Sequence, residues 1–295
     1  MFKNLQYIIL LFVSVSTLAQ EAKMEKAEKL YENYGYINAR DIYLKVAEKG
    51  FESEELFQRL GDSYYFNAAY SDALVWYTKL FSLNDDQGEK YLRRYAQSLQ
   101  ASGNTSKAKA IYNIFQEDEG LSARDYLYLI EENSERYSIN KLNGINTNGR
   151  EFGHSFQNGK LIYASTQDTG VFVKRKSSWD GLSFLDLYQA EVKQDSLIST
   201  PEKLKGVNGK YHESSATITK NGKTLYYTKS NNVKKENHYL NIYRAQLRNG
   251  EWTNIEKLSI NSDGYSTAHP TLDRNEEYLY FASNKPGGFG ESDIY

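Results

Sequence analysis

The sequence predicts an α + β multidomain chain, in which an all-α repeat solenoid is followed by an incomplete all-β propeller. Three observations lead to this fold class. Residues 20–136 hold six of the 20 glycines and none of the three prolines, and residues 137–295 hold the others. The apolar spacing changes there from a helical period to short runs broken by turns. Each half also repeats itself, with a period of about 34 residues in the first and about 55 in the second.

The first 19 residues have the pattern of a signal peptide. Lys3 is followed by the apolar run Tyr7–Val15, and Thr17-Leu18-Ala19 places small residues before Gln20. A run of nine residues is far shorter than the ~20 needed to cross a bilayer; the alternative is a buried first helix. We therefore expect an exported chain with no transmembrane segment after cleavage. The absence of cysteine fits a Gram-negative periplasm better than a small disulfide-stabilised secreted fold.

Residues 20–136 are predicted to form pairs of helices. Small residues recur with spacings of 34 and 35, at Ala27, Gly61 and Ala96 and again at Ala39, Ala73 and Ala108. A larger residue follows each small one by three or four positions, so both lie on one helix face where a neighbouring helix can approach closely. The pattern resembles the tetratricopeptide repeat, most clearly in Phe57-x-x-Leu60-Gly61-x-x-Tyr64, with a capping helix over Ser122–Asn133. An unrelated antiparallel helical bundle is the alternative.

Residues 137–149 are predicted to be a linker, and residues 150–295 to form propeller blades. Leu161–Ser165, Leu225–Lys229 and Leu279–Ser283 are similar apolar runs, each preceded by a polar turn. Asn-Gly between apolar runs is a strong hairpin signal. A second strand motif follows each run and ends at Tyr188, Tyr243 and Tyr295. About four strands for every 55 residues is the number expected for one propeller blade.

This half resembles the WD40-like repeats of TolB type, most closely over His269–Tyr295. That stretch is similar to repeats of OmpA-family envelope proteins in bacteria with type IX secretion and gliding motility. The resemblance implies a signal peptide, tetratricopeptide repeats and a propeller, followed by a sandwich and a peptidoglycan-binding domain. Only two blades and part of a third precede Tyr295. We therefore expect an N-terminal fragment, so any contact with peptidoglycan would belong to a domain absent from this chain.

No catalytic or cofactor-binding pattern is present, so we expect no enzyme, no cofactor and no metal site. His154, His212 and His269 are evenly spaced, but aligning the repeats pairs His212 with Ser266 and His269 with Ser215. The Gly-rich stretch 287–290 precedes a strand, which favours a tight turn over a phosphate loop.

The remaining polar patterns have structural explanations too. The polar residue preceding Leu-Tyr or Ile-Tyr in three repeats is predicted to accept turn N–H groups, and it is Asp186, Asn241 and Asp293. A net charge of −2, with basic runs only at 174–176 and 234–235, argues against nucleic acid as a partner.

The best candidate for a functional surface is the inner face of the helical repeats. Polar groups with one aromatic on the first helices of units two and three could bind a partner's extended segment; they are Gln58, Asp62, Tyr65, Arg93, Gln97 and Gln100. An ordinary solvated helix face is the alternative for each of them.

The sequence thus predicts a non-enzymatic scaffold that joins envelope proteins in the periplasm at the outer membrane. The family resemblance adds type IX secretion or gliding as the setting. One alternative is a periplasmic sensor or transport accessory that binds a peptide or a glycan. Another is the propeller part of a hydrolase, which would need a downstream catalytic domain.

Overall fold

The structure is a computed structural model, and it forms two compact units. It describes residues 20–115, 132–133, 136, 140–167, 176–193, 196–197, 199–230 and 239–295. One unit comprises Met1–Ser138 together with Ser177–Gly181, and the other comprises Ile139–Lys176 and Leu182–Tyr295. The predicted signal peptide, most of the capping helix, part of the linker and most of the basic runs lie outside the described residues.

The first unit is helical. Its helices are α1 (20–32), α2 (Tyr36–Ala47), α3 (Glu54–Tyr65), α4 (Tyr70–Leu83), α5 (Glu89–Ala101) and α6 (Thr105–Phe115). Neighbouring helices from α2 to α6 contact each other in chain order, and α3 also contacts α5. Among α2 to α5, only α3 has a side-chain N-cap, in which Ser53 Oγ accepts the N–H of Leu56 at 3.1 Å. Within the described ranges, no helix combines the length and the hydropathy that a bilayer crossing requires.

The recurring small residues lie where the helices pack most closely, as the sequence predicts. All six are buried. Gly61 of α3 faces the ring of Tyr77 in α4: a Cβ atom on Gly61 would lie 2.6 Å from Cδ1 of that ring. Tyr77 is itself fully buried. The absence of a side chain at position 61 therefore allows α3 and α4 to approach to this distance.

The second unit contains three antiparallel sheets. The first holds β1 (Glu151–Gln157), β2 (Lys160–Ser165), β3 (Asp186–Lys193), β4 (Ser196–Leu197) and β5 (Glu202–Lys203). The second holds β6 (Glu213–Ile218), β7 (Thr224–Ser230), β8 (Leu240–Arg248) and β9 (Glu251–Lys257). The third holds β10 (Thr267–Leu272), β11 (Leu279–Ser283) and β12 (Asp293–Ile294). An apolar core that includes Ile162, Leu187, Leu225 and Trp252 joins the first two sheets.

The predicted incomplete propeller is wrong. The strands of the described residues form three small sheets of five, four and three strands, and this part of the chain contains no closed barrel or propeller. The turn signals specify hairpins, and those hairpins form; a ring would also require the sheets to close on one another, which no local signal specifies. The chain is therefore a helical domain followed by a sheet-rich domain.

Two asparagines repeat the same contact in the first two sheets. Asn208 accepts the N–H of Leu187 at 2.7 Å and donates to the carbonyl of Leu187 at 2.9 Å. Asn261 does the same to Ile242, at 2.7 and 2.8 Å. Each amide therefore satisfies both backbone groups of one strand residue, a role that the sequence repeat alone does not reveal.

We expect Gly61→Ala to destabilise the helical unit by about 1–3 kcal/mol, because the added methyl group overpacks the contact with Tyr77. Urea unfolding followed by the helical circular dichroism signal measures this. Gly264→Ala is the matched control, since its Cβ would meet only Ser262 Oγ at 3.6 Å. Equal unfolding midpoints for the two variants would contradict the close approach of α3 and α4.

Candidate functional site

A buried carboxylate connects four helices of the helical unit. Asp62 of α3 is fully buried. Its Oδ1 accepts hydrogen bonds from Tyr77 Oη at 2.7 Å and Arg94 Nη1 at 2.5 Å, and its Oδ2 accepts one from Tyr31 Oη at 2.9 Å. These partners lie on α4, α5 and α1. A buried charge is tolerated when it is paired and its lone pairs are satisfied, as here.

A second ion pair lies beside the first. Glu28 of α1 accepts from Arg59 of α3 through both carboxylate oxygens, at 2.7 Å for Nε, and from Tyr43 Oη at 2.8 Å. The Arg59 guanidinium also lies 4.5 Å from the centre of the Tyr31 ring. Two parallel N–H···O bonds fix the geometry of such a pair more tightly than one bond would.

These contacts change the proton affinity of the groups involved. Burial, followed by the negative charge of Asp62, raises the pKa of Tyr77 and of Tyr31 well above the usual tyrosine range. Burial alone would raise the pKa of Glu28, but the hydrogen bonds from Arg59 and Tyr43 outweigh it and lower that pKa. The phenols of Tyr77 and Tyr31 therefore remain neutral hydrogen-bond donors at neutral pH, and the carboxylate of Glu28 remains charged.

The six residues predicted for partner binding fall into two groups. Asp62 forms the buried ion pair just described, so it stabilises the unit and does not reach solvent. The other five are at least partly exposed: Gln58, Tyr65, Arg93, Gln97 and Gln100. Gln58 Nε2 donates to Oε1 of the buried Gln87 at 2.9 Å, which orients it along the surface.

Four of those residues form a continuous surface that we call the α3–α5 strip: Tyr65, Arg93, Gln97 and Gln100. Arg93, Gln97 and Gln100 are spaced at i, i+4 and i+7, so they share one face of α5. Tyr65 Oη donates to Gln97 Oε1. Gln100 Oε1 accepts from Tyr112 Oη at 3.2 Å, and Arg93 Nε donates to Glu89 Oε1 at 2.5 Å. Neighbouring side chains thus hold the strip in a defined arrangement.

Sequence reasoning missed the arginines that hold the helices together. Arg59 of α3 binds Glu28 of α1, 31 residues earlier, and Arg94 of α5 binds Asp62 of α3, 32 residues earlier. This offset is a few residues shorter than the repeat itself. A search for opposite charges at that separation could have found both pairs.

Two histidines of the sheet-rich unit stand in different relations to the serines with which the repeats align them. His212 Nδ1 accepts the N–H of Leu185 at 3.2 Å, and Ser266 Oγ accepts the N–H of Leu240 at 3.1 Å, so the two side chains occupy equivalent places. His269 Nδ1 lies 2.8 Å from Ser215 Oγ. His238 lies outside the described residues. Among the residues that are described, no three histidine or acidic side chains converge as metal ligands would.

The other predicted loop features are confirmed in part. Residues 287–290 connect β11 to β12, and Asp293 Oδ2 accepts the N–H of Gly290 at 3.3 Å. Asp186 differs from the prediction, because its Oδ2 pairs with Lys203 Nζ at 2.5 Å. Asn241 donates to the carbonyl of Tyr239 at 3.4 Å. The shared residue position thus serves three different contacts.

A cavity of about 310 Å³ lies within the sheet-rich unit. Its lining includes Lys160, Lys203 and Lys205, the acidic Glu202, and apolar residues such as Leu204 and Trp252. Its volume is at the lower end of the range for small-molecule sites.

No protein-family model matches this chain, and no curated protein is similar to it in sequence.

We expect Asp62→Asn to lower the free energy of unfolding by about 3 kcal/mol, because it leaves the guanidinium of Arg94 without its buried counter-charge. The exposed pair formed by Arg93 and Glu89 provides the control, and Glu89→Gln is expected to cost less than about 1 kcal/mol. Urea unfolding of both variants at pH 7 makes the comparison. An equal loss in the two would contradict a structural role for Asp62.

Alkaline pH is expected to destabilise the helical unit. Burial, as the main cause, raises the pKa of Tyr36 and of Tyr91 to about 12. An unfolded tyrosine ionises near pH 10. Between about pH 10 and 12 the unfolded state therefore loses protons that the folded state keeps, so stability falls as pH rises. Urea unfolding between pH 8.5 and 11.5 should show this fall, and Tyr36→Phe should make it shallower; parallel curves would refute the assignment to Tyr36.

Proposed function

We propose that this chain is a non-enzymatic scaffold that binds other proteins through its helical unit. The observation that carries the proposal is the α3–α5 strip, in which one aromatic and three polar side chains lie together on adjacent helices. Repeated helices commonly present such extended surfaces to partner proteins. A surface whose side chains are already ordered loses less conformational entropy on binding.

The buried ion pairs support this function by keeping the strip in place. Arg94 lies on α5 beside Arg93, and its guanidinium is 5.5 Å from the centre of the Tyr65 ring. The contact that fixes α5 to α3 through Asp62 thus also touches the aromatic member of the strip. Binding residues held by rigid elements are more precise than residues on loops.

The setting that we propose rests on the sequence. The signal-peptide pattern and the absence of cysteine support export to a Gram-negative periplasm. The resemblance to OmpA-family proteins supports a position at the outer membrane beside a type IX secretion or gliding system. Envelope proteins would then be the partners.

A second candidate function is the binding of a peptide or a glycan by a periplasmic sensor or transport accessory. The cavity of the sheet-rich unit favours it, because amide side chains such as Gln157 and Gln189 line it together with charged and apolar residues. An apolar lining with a few polar groups is typical of small-ligand sites.

The test of the scaffold function is to select peptides from a random phage-displayed library against the full chain and measure their affinity by fluorescence anisotropy. The double variant Gln97→Ala/Gln100→Ala should weaken binding at least tenfold, about 1.4 kcal/mol. Thr78→Ala, on the exposed side of α4, is the control and should leave affinity unchanged. Failure to enrich any peptide, or equal binding by the double variant, would reject the strip as a protein-binding surface.

A further inference from the structure

The helical unit includes a short segment from far along the chain, Ser177–Gly181. Its Trp179 ring contacts Tyr34 and Tyr36, which together with Phe66 form a cluster that we call the aromatic cradle. Trp179 stacks on Tyr34 at 5.7 Å between ring centres and meets Tyr36 edge-on at 4.9 Å. Phe66 packs against Tyr36, with 4.9 Å between ring centres. Such ring pairs contribute beyond the area they bury.

Two hydrogen bonds hold the main chain of the same segment. The N–H of Ile37 donates to the carbonyl of Ser178 at 3.1 Å. That N–H belongs to the first turn of α2, whose Gly35 N-cap supplies no side-chain acceptor. Asn67 Nδ2 donates to the carbonyl of Trp179 at 2.9 Å. Because both acceptors are backbone carbonyls, the aromatic ring supplies the sequence specificity of the contact.

The segment presents its tryptophan on a tight turn. The N–H of Gly181 donates to the carbonyl of Ser177 at 2.8 Å, and the N–H of Trp179 donates to Ser177 Oγ at 3.2 Å. Trp179 remains 38% exposed, and Tyr34 remains 55% exposed. The contact is thus peripheral, so a competing ring could replace Trp179 without disturbing the helical core.

The strained backbone at Tyr34 points to a role for its side chain. Tyr34 has a φ of 60°. The residues at the equivalent positions of the next two repeats are Ala68, with a φ of 57°, and Gly103, with a φ of 82°. The left-handed region suits glycine and is unfavourable for an aromatic residue. A strained residue that the surrounding structure maintains is a sign of function. The feature that distinguishes Tyr34 from Ala68 and Gly103 is its ring, which forms the exposed wall of the cradle.

We propose that the aromatic cradle recognises a tryptophan that a partner protein presents on a tight turn, and that Trp179 is the chain's own competitor for this place. The inference rests on the proposed protein-binding function and names the partner's chemistry. A partner would offer the same three groups as Ser177–Gly181: one exposed indole and two adjacent backbone carbonyls. Removing the internal ring should then open the cradle to an external one.

The test uses the full chain and a peptide with the sequence of residues 177–182, closed into a ring by a linker across the Lys176–Ser183 bridge. Its tryptophan carries a fluorine atom, and ¹⁹F NMR reports binding. The peptide should bind Trp179→Ala at least tenfold more tightly than the unaltered chain. A peptide with alanine in place of tryptophan should not bind either form.

A second variant keeps the experiment decisive. Tyr34→Gly in the Trp179→Ala background removes the cradle wall and relieves the backbone strain, so the chain should fold and peptide binding should fall at least tenfold. Tyr278→Ala in the same background is the matched control, because Tyr278 is exposed to a similar degree, 63%, in the sheet-rich unit. It should leave binding unchanged.

Equal binding by the unaltered chain and Trp179→Ala, or no binding to Trp179→Ala, would overturn the cradle proposal. These results are independent of the α3–α5 strip. If selected peptides still require Gln97 and Gln100, the scaffold function survives and only the cradle fails. If the ring-closed peptide binds as expected while the strip variant has no effect, the protein-binding surface is the cradle rather than the strip.

Discussion

The helical unit depends on one buried carboxylate more than on any other polar group. Asp62 receives hydrogen bonds from α1, α4 and α5 while lying on α3, so a single charge fixes four helices. In a water-excluded core this arrangement is favourable only when every partner is present. Repeat proteins often behave as sums of neighbouring units. Here three consecutive repeats share one ion, and the loss of any of them would leave that ion unsatisfied.

The helical architecture could be predicted because close packing leaves a direct trace in the sequence. Ala27, Gly61 and Ala73 are all buried, and at Gly61 the ring of Tyr77 occupies the space that a side chain would need. Asp62 could not be assigned correctly on the same basis. Its helical spacing suggests a position beside Tyr65 on a solvated face. Its burial depends instead on how successive helices are offset. That offset brings Arg94, rather than solvent, to its carboxylate.

In the sheet-rich unit the sequence predicts strands better than their assembly. Asn249-Gly250 forms the turn between β8 and β9, with both residues at positive φ as such turns require. The arrangement of whole sheets depends instead on contacts between distant faces, such as the core around Leu187 and Leu225. Hairpin signals do not encode those contacts, which explains why correct strands led to an incorrect propeller. Likewise, no repeat signal marks Trp179, because the cradle involves only one of the three helical turns.

The paired asparagines limit where β3 and β8 could pair with a strand of another molecule. A strand edge with free N–H and carbonyl groups can recruit a strand from another molecule and begin aggregation. At Leu187 and Ile242 the amides of Asn208 and Asn261 already occupy both groups, and the N–H groups of Leu204 and Leu258 bind the same carbonyls. At these two residues β5 and β9 no longer pair with β3 and β8, and the asparagine side chains make the hydrogen bonds that a neighbouring strand would have made. Each asparagine therefore removes one backbone position of β3 or β8 from pairing with a strand of another molecule, a task that natural sheets more often assign to charge or proline.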